Sequence, residues 1–397
     1  MPRKKLLILG AGYYYKNIFK EIRELDYYLL TVDRSPDSPG FQLVDEHSVI
    51  DIVDREKVLQ YAREKQIDGI MPVNDFGVRT ACFVSQELGL IGNTLATGIC
   101  CNDKGIMRDV WKSENLNQPR FVIIKPDKKE LARVMEEFPF PLVVKPTDCG
   151  GAGRGISIAS NPIELSEAFD YALPYAKNHR IIVEQYIEGT EMTIESLSYK
   201  GQVYILSMSD KFKPEQRYRV ATGLHFPPKF SSEILDQVKL LVSKAVKAVG
   251  ITNGAAHTEV IVEENGSPKL VEIGARGGGG HVFHTIVKEN LGINYPQEFA
   301  KILCGEVPSI IPTKNNGVVY RFFNPQPGII KDIVIPNEIH SLPYLVDFGI
   351  TAQKGQRFDG LKDSLHRVGF VVTRGKTREE AILHADHIEK MITFVIE

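Results

Sequence analysis

Residues 257 to 281, HTEVIVEENGSPKLVEIGARGGGGH, constrain the chain more tightly than any other stretch. Asn265-Gly266 sits between two alternating runs, and that dipeptide is the strongest short-range signal for a hairpin with a type I′ turn, which needs φ > 0 at both central residues. A two-residue loop there fixes the register and places Glu259 directly opposite Glu272 on one face of the ladder. Facing residues of an antiparallel pair have Cβ atoms roughly 4.5 to 5.5 Å apart, a spacing at which like charges destabilise a sheet. A cation is therefore expected between them. Hard carboxylate oxygens suit Mg²⁺, which is commonly held by one or two carboxylates plus nucleotide phosphates. From the hairpin alone, two glutamates on a solvated outer face fit equally well. Arg276, followed by Gly277 to Gly280, favours a site, because an Arg at a strand end beside side-chain-free backbone reaches a phosphate or oxyanion closely.

At 397 residues the chain exceeds what one core organises and should divide into two to four lobes. Its net charge of −2 sets up no long-range field for nucleic acid or an anionic membrane, so small molecules are the expected partners. No apolar run reaches 18 residues, and the opening MPRKKLLILGAG meets glycine before an h-region is complete; neither a membrane span nor a secretion signal is expected. Five cysteines without a CxxC, two of them adjacent at Cys100 and Cys101, point away from a disulfide framework or zinc site and toward a reducing cytoplasm.

Residues 4 to 9 read as a strand, Gly10-Ala-Gly12 as a tight turn, Tyr15 to Leu25 as a helix and Tyr28 to Val32 as a second strand ending at Asp33, a βαβ opening. The turn reads GAGYYY instead of GxGxxG, so a structural α/β lobe is preferred to a dinucleotide site with Asp33 on a ribose. Further βα units run to about Gly92. Asp103 to Trp111 is a short helix carrying Lys104, by itself an ordinary solvated charge. Phe140 to Pro146 is a buried-type strand with Lys145 at its end. The glycine-rich TDCGGAGRG at 147 to 155 follows; its backbone N–H groups suit an anion, although the same composition serves a flexible connector. It is not GxxxxGK[ST], which excludes a P-loop. Ile181 to Glu191 is a strand running into a turn; extended backbone beside a carboxylate suits an adenine edge, and an ordinary strand pair explains it too. Ser209 to His225 is polar and basic, and Ser231 to Val249 is an amphipathic helix started by a Ser cap. His281 to Asn290 reads as helical, with its N-terminal N–H groups toward whatever Arg276 holds. Tyr295 to Cys304 is a further helix. From Val307 the tail reads as a small α/β lobe, with a strand at 318 to 323 and a final helix from Arg378 to Ile392.

The ordered set of Lys104, VVKP with Lys145, the glycine loop, VEQYIEGTE, HTEV and VEIGAR resembles the ATP-grasp superfamily over essentially the whole chain. The resemblance implies an α/β and α+β architecture. Residues 1–100 would form a Rossmann-like pre-grasp domain and 101–308 an ATP-grasp domain, with a hinged central lid lobe at about 112–182 and a catalytic antiparallel sheet; 309–397 would form a small C-terminal lobe. It further implies that Lys104 and Lys145 contact the phosphates of ATP, and that Gly150, Gly151, Gly153 and Gly155 belong to a flap over them. Glu184, Tyr186 and Ile187 would form the adenine hinge, Glu191 would hold the ribose hydroxyls, and His225 would join the nucleotide contacts. Glu259 and Glu272 become ligands of Mg²⁺ (or Mn²⁺), and Arg276 and Lys145 the groups that stabilise the transferring phosphoryl. The family's usual Asn two residues after the second glutamate is Gly274 here, which removes one metal ligand.

The implied reaction phosphorylates a carboxylate with ATP, and an amine then attacks the acyl phosphate to give an amide, ADP and phosphate. The pattern EIGARGGGGH with PQPG at 325 to 328 looks most like the L-amino acid ligase and carbamoyl-phosphate-synthase-like group. An amino acid or small amino-acid-like carboxylate is therefore the expected substrate, with Gly277, Gly278, Gly279, His281 and Arg321 in its pocket. A purine-biosynthesis or carboxyphosphate-type enzyme and a non-catalytic nucleotide-binding regulator are the alternatives. The family also implies a homodimer.

Overall fold

The computed structural model describes residues 2–125, 127–148, 150, 153–214, 218 and 220–397; Gly151, one of the expected flap glycines, lies outside the described residues. The N-terminal strands β1 (Lys5–Leu9), β2 (Tyr28–Asp33), β3 (Glu46–Val49) and β4 (Gly69–Pro72) form a parallel sheet in the order β3-β2-β1-β4. The near-continuous apolar runs of β1, β2 and β4 are what a parallel sheet covered on both faces demands. Asp33 is spent on its own loop, accepting from Ala11 N at 2.8 Å and Ser35 N at 3.0 Å, in keeping with a structural lobe.

A second, antiparallel sheet has the order β5-β8-β6-β7, from β5 (Phe121–Ile124), β6 (Leu142–Pro146), β7 (Ser157–Ala159) and β8 (Ile181–Gln185). The helices Lys128–Glu137 and Pro162–Ala172 close its core with Leu131, Val134, Leu165 and Ala168. The remaining strands are β9 (Thr190–Tyr199), β10 (Gln202–Phe212), β11 (Gly223–Phe226), β12 (Gly254–Val262), β13 (Pro268–Gly274), β14 (Gly317–Phe322), β15 (Gly328–Val334), β16 (Leu345–Ile350), β17 (Arg357–Phe358), β18 (Gly369–Gly375) and β19 (Thr393–Ile396). Eight of them make one sheet, β13-β12-β9-β10-β11-β14-β18-β16, and β17-β15-β19 make a small one. The proposed division at 308/309 thus crosses a continuous sheet. Among the described residues no helix is long and apolar enough to cross a membrane.

Strand alternation gives the large sheet two unlike faces. One is apolar: Met192, Ile194, Val260, Leu270 and Ile273 pack under Val238, Val242, Ala245 and Val246 of the helix Ser232–Ala248. Further along the same face, Ala381 and Ala385 of the helix Arg378–Met391 cover Val319. The other face carries the charged residues described below.

Three local expectations are corrected. Ser231 precedes its helix but its side chain makes no capping bond. The segment after the glycine run winds as a π-helical turn, Val282–Ile286, before regular helix at Val287–Leu291, and the Gly278 N–H goes to Glu195 at 2.9 Å. The hairpin loop is not type I′: Gly266 alone has positive φ (+82°), its N–H closes onto Glu263 O at 2.9 Å, and Glu263 pairs with Ser267. That is a three-residue loop ending in a left-handed glycine. It shifts the register by one near the turn, pairing Val262 with Pro268 and Val260 with Leu270, until a bulge at Val271 restores Glu259 opposite Glu272. The expected pairing is reached by two offsets that cancel.

Candidate active site

Glu259 and Glu272 face each other on the polar side of the sheet, and three lysines lie against the acids there. Lys211 of β10 lies 2.5 Å from Glu259 and 2.7 Å from Glu191, while Lys213 lies 2.5 Å from Glu191. Lys104, from the start of the helix Lys104–Ser113, lies 2.8 Å from Glu272. Burial disfavours the charged form of Glu259, yet Lys211 outweighs it and holds the carboxyl well below its ordinary range. Among the described residues no group of three or more His, Cys, Asp or Glu could hold a metal. Two hard carboxylates completed by phosphate oxygens and water are nonetheless a fitting donor set for Mg²⁺.

Lys145 ends β6 and is almost fully buried, its Nζ 2.6 Å from Glu184 Oε2. Glu184 is placed differently from the expected adenine contact. Its backbone is paired on both sides, with Phe121 and Val143, and its carboxylate is taken up by Lys145 and by Arg108 at 2.7 Å. Burial raises its pKa, but the Arg108 and Lys145 charges prevail and hold it at about 2. The expected hinge lies just beyond, where Tyr186 N donates to Pro141 O at 3.2 Å and Ile187 is buried. Of the flap, Gly150, Gly153 and Gly155 all have positive φ, and a side chain at Gly150 would meet the Phe76 ring at 2.5 Å.

Arg276, at the end of β13, makes a bidentate pair with Asp75, the first residue of the helix Asp75–Leu88, at 2.9 and 3.0 Å. This links the β12–β13 hairpin to the N-terminal lobe. A Cβ at Gly274 would stand 3.3 Å from Asp75 Oδ1, so this pair occupies the space an Asn side chain would enter. The glycine run is sterically required at three positions: a Cβ on Gly277 would lie 2.0 Å from Phe283, one on Gly278 would lie 2.4 Å from Glu195 Oε1, and one on Gly280, which has φ +61°, would lie 2.8 Å from Tyr320 Oη, whereas Gly279 has nothing within 4 Å. His281 borders the run, with Nδ1 3.2 Å from Asp347 and its ring against Phe370 and Tyr320; burial pushes its pKa down.

Two expected site residues lie on the opposite face of the sheet. His225 is next along β11 from Leu224, which pairs with the site-facing Lys211, so alternation turns His225 away. It packs against Phe212, and burial together with Arg321 and Arg378 lowers its pKa to about 3. Arg321 points to the same side, bonded to Asp386 at 2.5 Å and Glu389 at 2.6 Å. Neither shares a surface with His281.

Sequence reasoning missed three groups that contact the expected site residues or the strand that carries them. His257 sits two residues before Glu259 on the same strand face, which alternation alone would have flagged; it bonds the buried Glu195, whose carboxylate overcomes burial and raises the imidazole to about 9. Asp75 and Arg108 meet partners 201 and 76 residues away, and nothing local marks them.

The D-ala D-ala ligase C-terminus family matches residues 110–303, and the L-amino acid ligase C-terminal domain 2 family matches residues 321–397. A formate-dependent phosphoribosylglycinamide formyltransferase of Ignicoccus hospitalis is 25% identical over 69% of this chain and 69% of its own. The protein of the same name from Sulfurisphaera tokodaii is 23% identical over 95% of this chain and 94% of its own. Among solved structures, an L-amino acid ligase from Bacillus licheniformis superposes with a TM-score of 0.86 at 24% identity, covering 100% of both chains.

Proposed function

We propose that this chain, which belongs to the ATP-grasp superfamily, is an ATP-dependent ligase that activates a small carboxylate as an acyl phosphate and couples it to an amine, in the manner of the purine-biosynthesis relatives. The observation that carries the reading is the pairing of Glu259 opposite Glu272 on one sheet face, with Lys104 against Glu272 and Arg276 two residues beyond the end of the same strand. Phosphorylating a carboxylate brings two anions together, so cationic groups must offset repulsion and stabilise the equatorial oxygens. Lys104 and Lys145 would contact the phosphate oxygens, and Arg276 the transferring phosphoryl and the acyl phosphate. Glu259 and Glu272 would hold Mg²⁺, which supplies charge neutralisation and orientation of the phosphates. Gly277 to Gly280 give the substrate carboxylate close access to backbone, and closure of the glycine flap excludes water from the hydrolysable acyl phosphate.

The formate-dependent relatives, one aligned over nearly the whole chain, favour a carboxylate as small as formate and a phosphoribosyl-bearing amine. A second reading, ligation of amino acids, is favoured by the match of residues 321–397 to the L-amino acid ligase domain. A homodimer in the cytoplasm suits either. An ADP-release screen separates them: formate with phosphoribosylglycinamide in one arm, and amino acids singly and in pairs in the other. Release in the first arm alone is expected; release only with amino acid pairs transfers the assignment to the second reading. Silence in both arms, with MgATP binding demonstrated, leaves a nucleotide-binding regulator.

A further inference from the structure

We infer that Arg108 is a positioning residue that holds the two sides of the phosphate site in one register, Lys145 from the lid sheet and Glu272 from the catalytic hairpin. This rests on the nucleotide-binding reading above. Arg108 lies one helical turn after Lys104 on the helix Lys104–Ser113 and is 1% exposed. Its Nε donates to Glu184 Oε1 at 2.7 Å, Nη1 to Leu270 O at 3.0 Å and Nη2 to Val271 O at 2.9 Å. The fully buried Trp111 ring lies 5.3 Å from the guanidinium carbon. A guanidinium is withdrawn from water this completely only when its donors are engaged. Its planar fork lets one side chain serve a carboxylate and two carbonyls at once, which a lysine ammonium does not.

Each contact has a consequence at the site. With one Glu184 oxygen held by Arg108, the other is directed at Lys145 Nζ, so the lysine is located through the carboxylate. On the other side, β13 is the edge of the large sheet, and its outward carbonyls at 270 and 271 have no partner strand. Val271 is the bulged residue, and a bulge re-aims the side chains that follow it. Pinning the carbonyls of both Leu270 and Val271 fixes the bulge immediately before Glu272, whose carboxylate then meets Lys104. Lys104, Lys145 and Glu272 are thereby referenced to one buried group that reaches neither nucleotide nor cation.

The test is MgADP binding measured calorimetrically at several Mg²⁺ concentrations, with thermal unfolding run alongside. Arg108→Lys is expected to weaken MgADP binding by at least about tenfold and to raise the half-saturating Mg²⁺ concentration roughly 10- to 100-fold, the usual range for loss of a group that orients a metal ligand. Glu184→Asp, which draws the carboxylate back from both Arg108 and Lys145 but leaves the bonds of Arg108 to Leu270 O and Val271 O in place, should weaken MgADP binding without moving the Mg²⁺ dependence. A purely structural role would lower the melting temperature and the active fraction while leaving the Mg²⁺ midpoint in place, and that result overturns the inference. So does binding within twofold of wild type in Glu184→Asp, which stays informative if Arg108→Lys does not fold. Wild-type protein that binds no MgADP removes the nucleotide reading and this inference with it.

Discussion

Two adjacent glycines, alike in sequence, carry different obligations. Gly278 donates its N–H to Glu195, and any Cβ there would collide with a carboxylate that is itself fully buried and fixed by His257. Gly279 faces open space. Gly278→Ala should therefore cost about 1–3 kcal/mol, the range for overpacking a closed site, whereas Gly279→Ala should stay within about 0.5 kcal/mol of wild type. Urea unfolding of the pair reads the contrast; equal losses would mean that Glu195 yields to the added methyl. The run of glycines was legible in the sequence, but this division was not, because it depends on a carboxylate more than 80 residues upstream.

Strand alternation decides which face a residue serves. Arg321 is separated by one position from Tyr320, yet Tyr320 packs beside His281 while Arg321 meets Asp386 and Glu389 behind the sheet. Arg321→Ala should leave MgADP affinity within twofold and lower stability by only about 1 kcal/mol or less, since its acidic partners are partly solvated; a large loss of nucleotide affinity would return Arg321 to the site. His225 faces away from Lys211 for the same reason. Its strand was recognisable, but its facing depends on which neighbours β11 acquires, and those are β10 and β14, the latter about 90 residues later. The β12–β13 hairpin was better determined locally. Even there, Asn265-Gly266 pointed to the wrong turn, and a bulge that no local pattern announces restored the facing glutamates.

Acid unfolding reports on the assembled molecule, because Glu184 joins the lid sheet to the helix Lys104–Ser113. Its carboxyl is lowered from 4.5 to about 2 in the folded state, so the associated stability is fully present above about pH 4.5 and is lost as pH falls through about 2. The difference corresponds to roughly 3 kcal/mol. Glu184→Gln should flatten the acid limb of unfolding free energy between those values, in addition to a general loss from leaving two buried cations uncompensated; an unchanged slope would assign the acid sensitivity elsewhere. At this scale the order of lobes was readable from the succession of motifs. The continuity of the large sheet past residue 309 was not, since it is set by long-range pairing of β14, β16 and β18. The position of β13 at one rim of that sheet has a colloidal consequence. An edge strand offers unpaired carbonyls on which another chain can grow. Here Arg108 covers the carbonyls of Leu270 and Val271, and Asn117 O accepts the Leu270 N–H. That stretch of the rim is closed to strand addition from solution, so the group that holds the bulge of the β12–β13 hairpin also discourages it from seeding an aggregate.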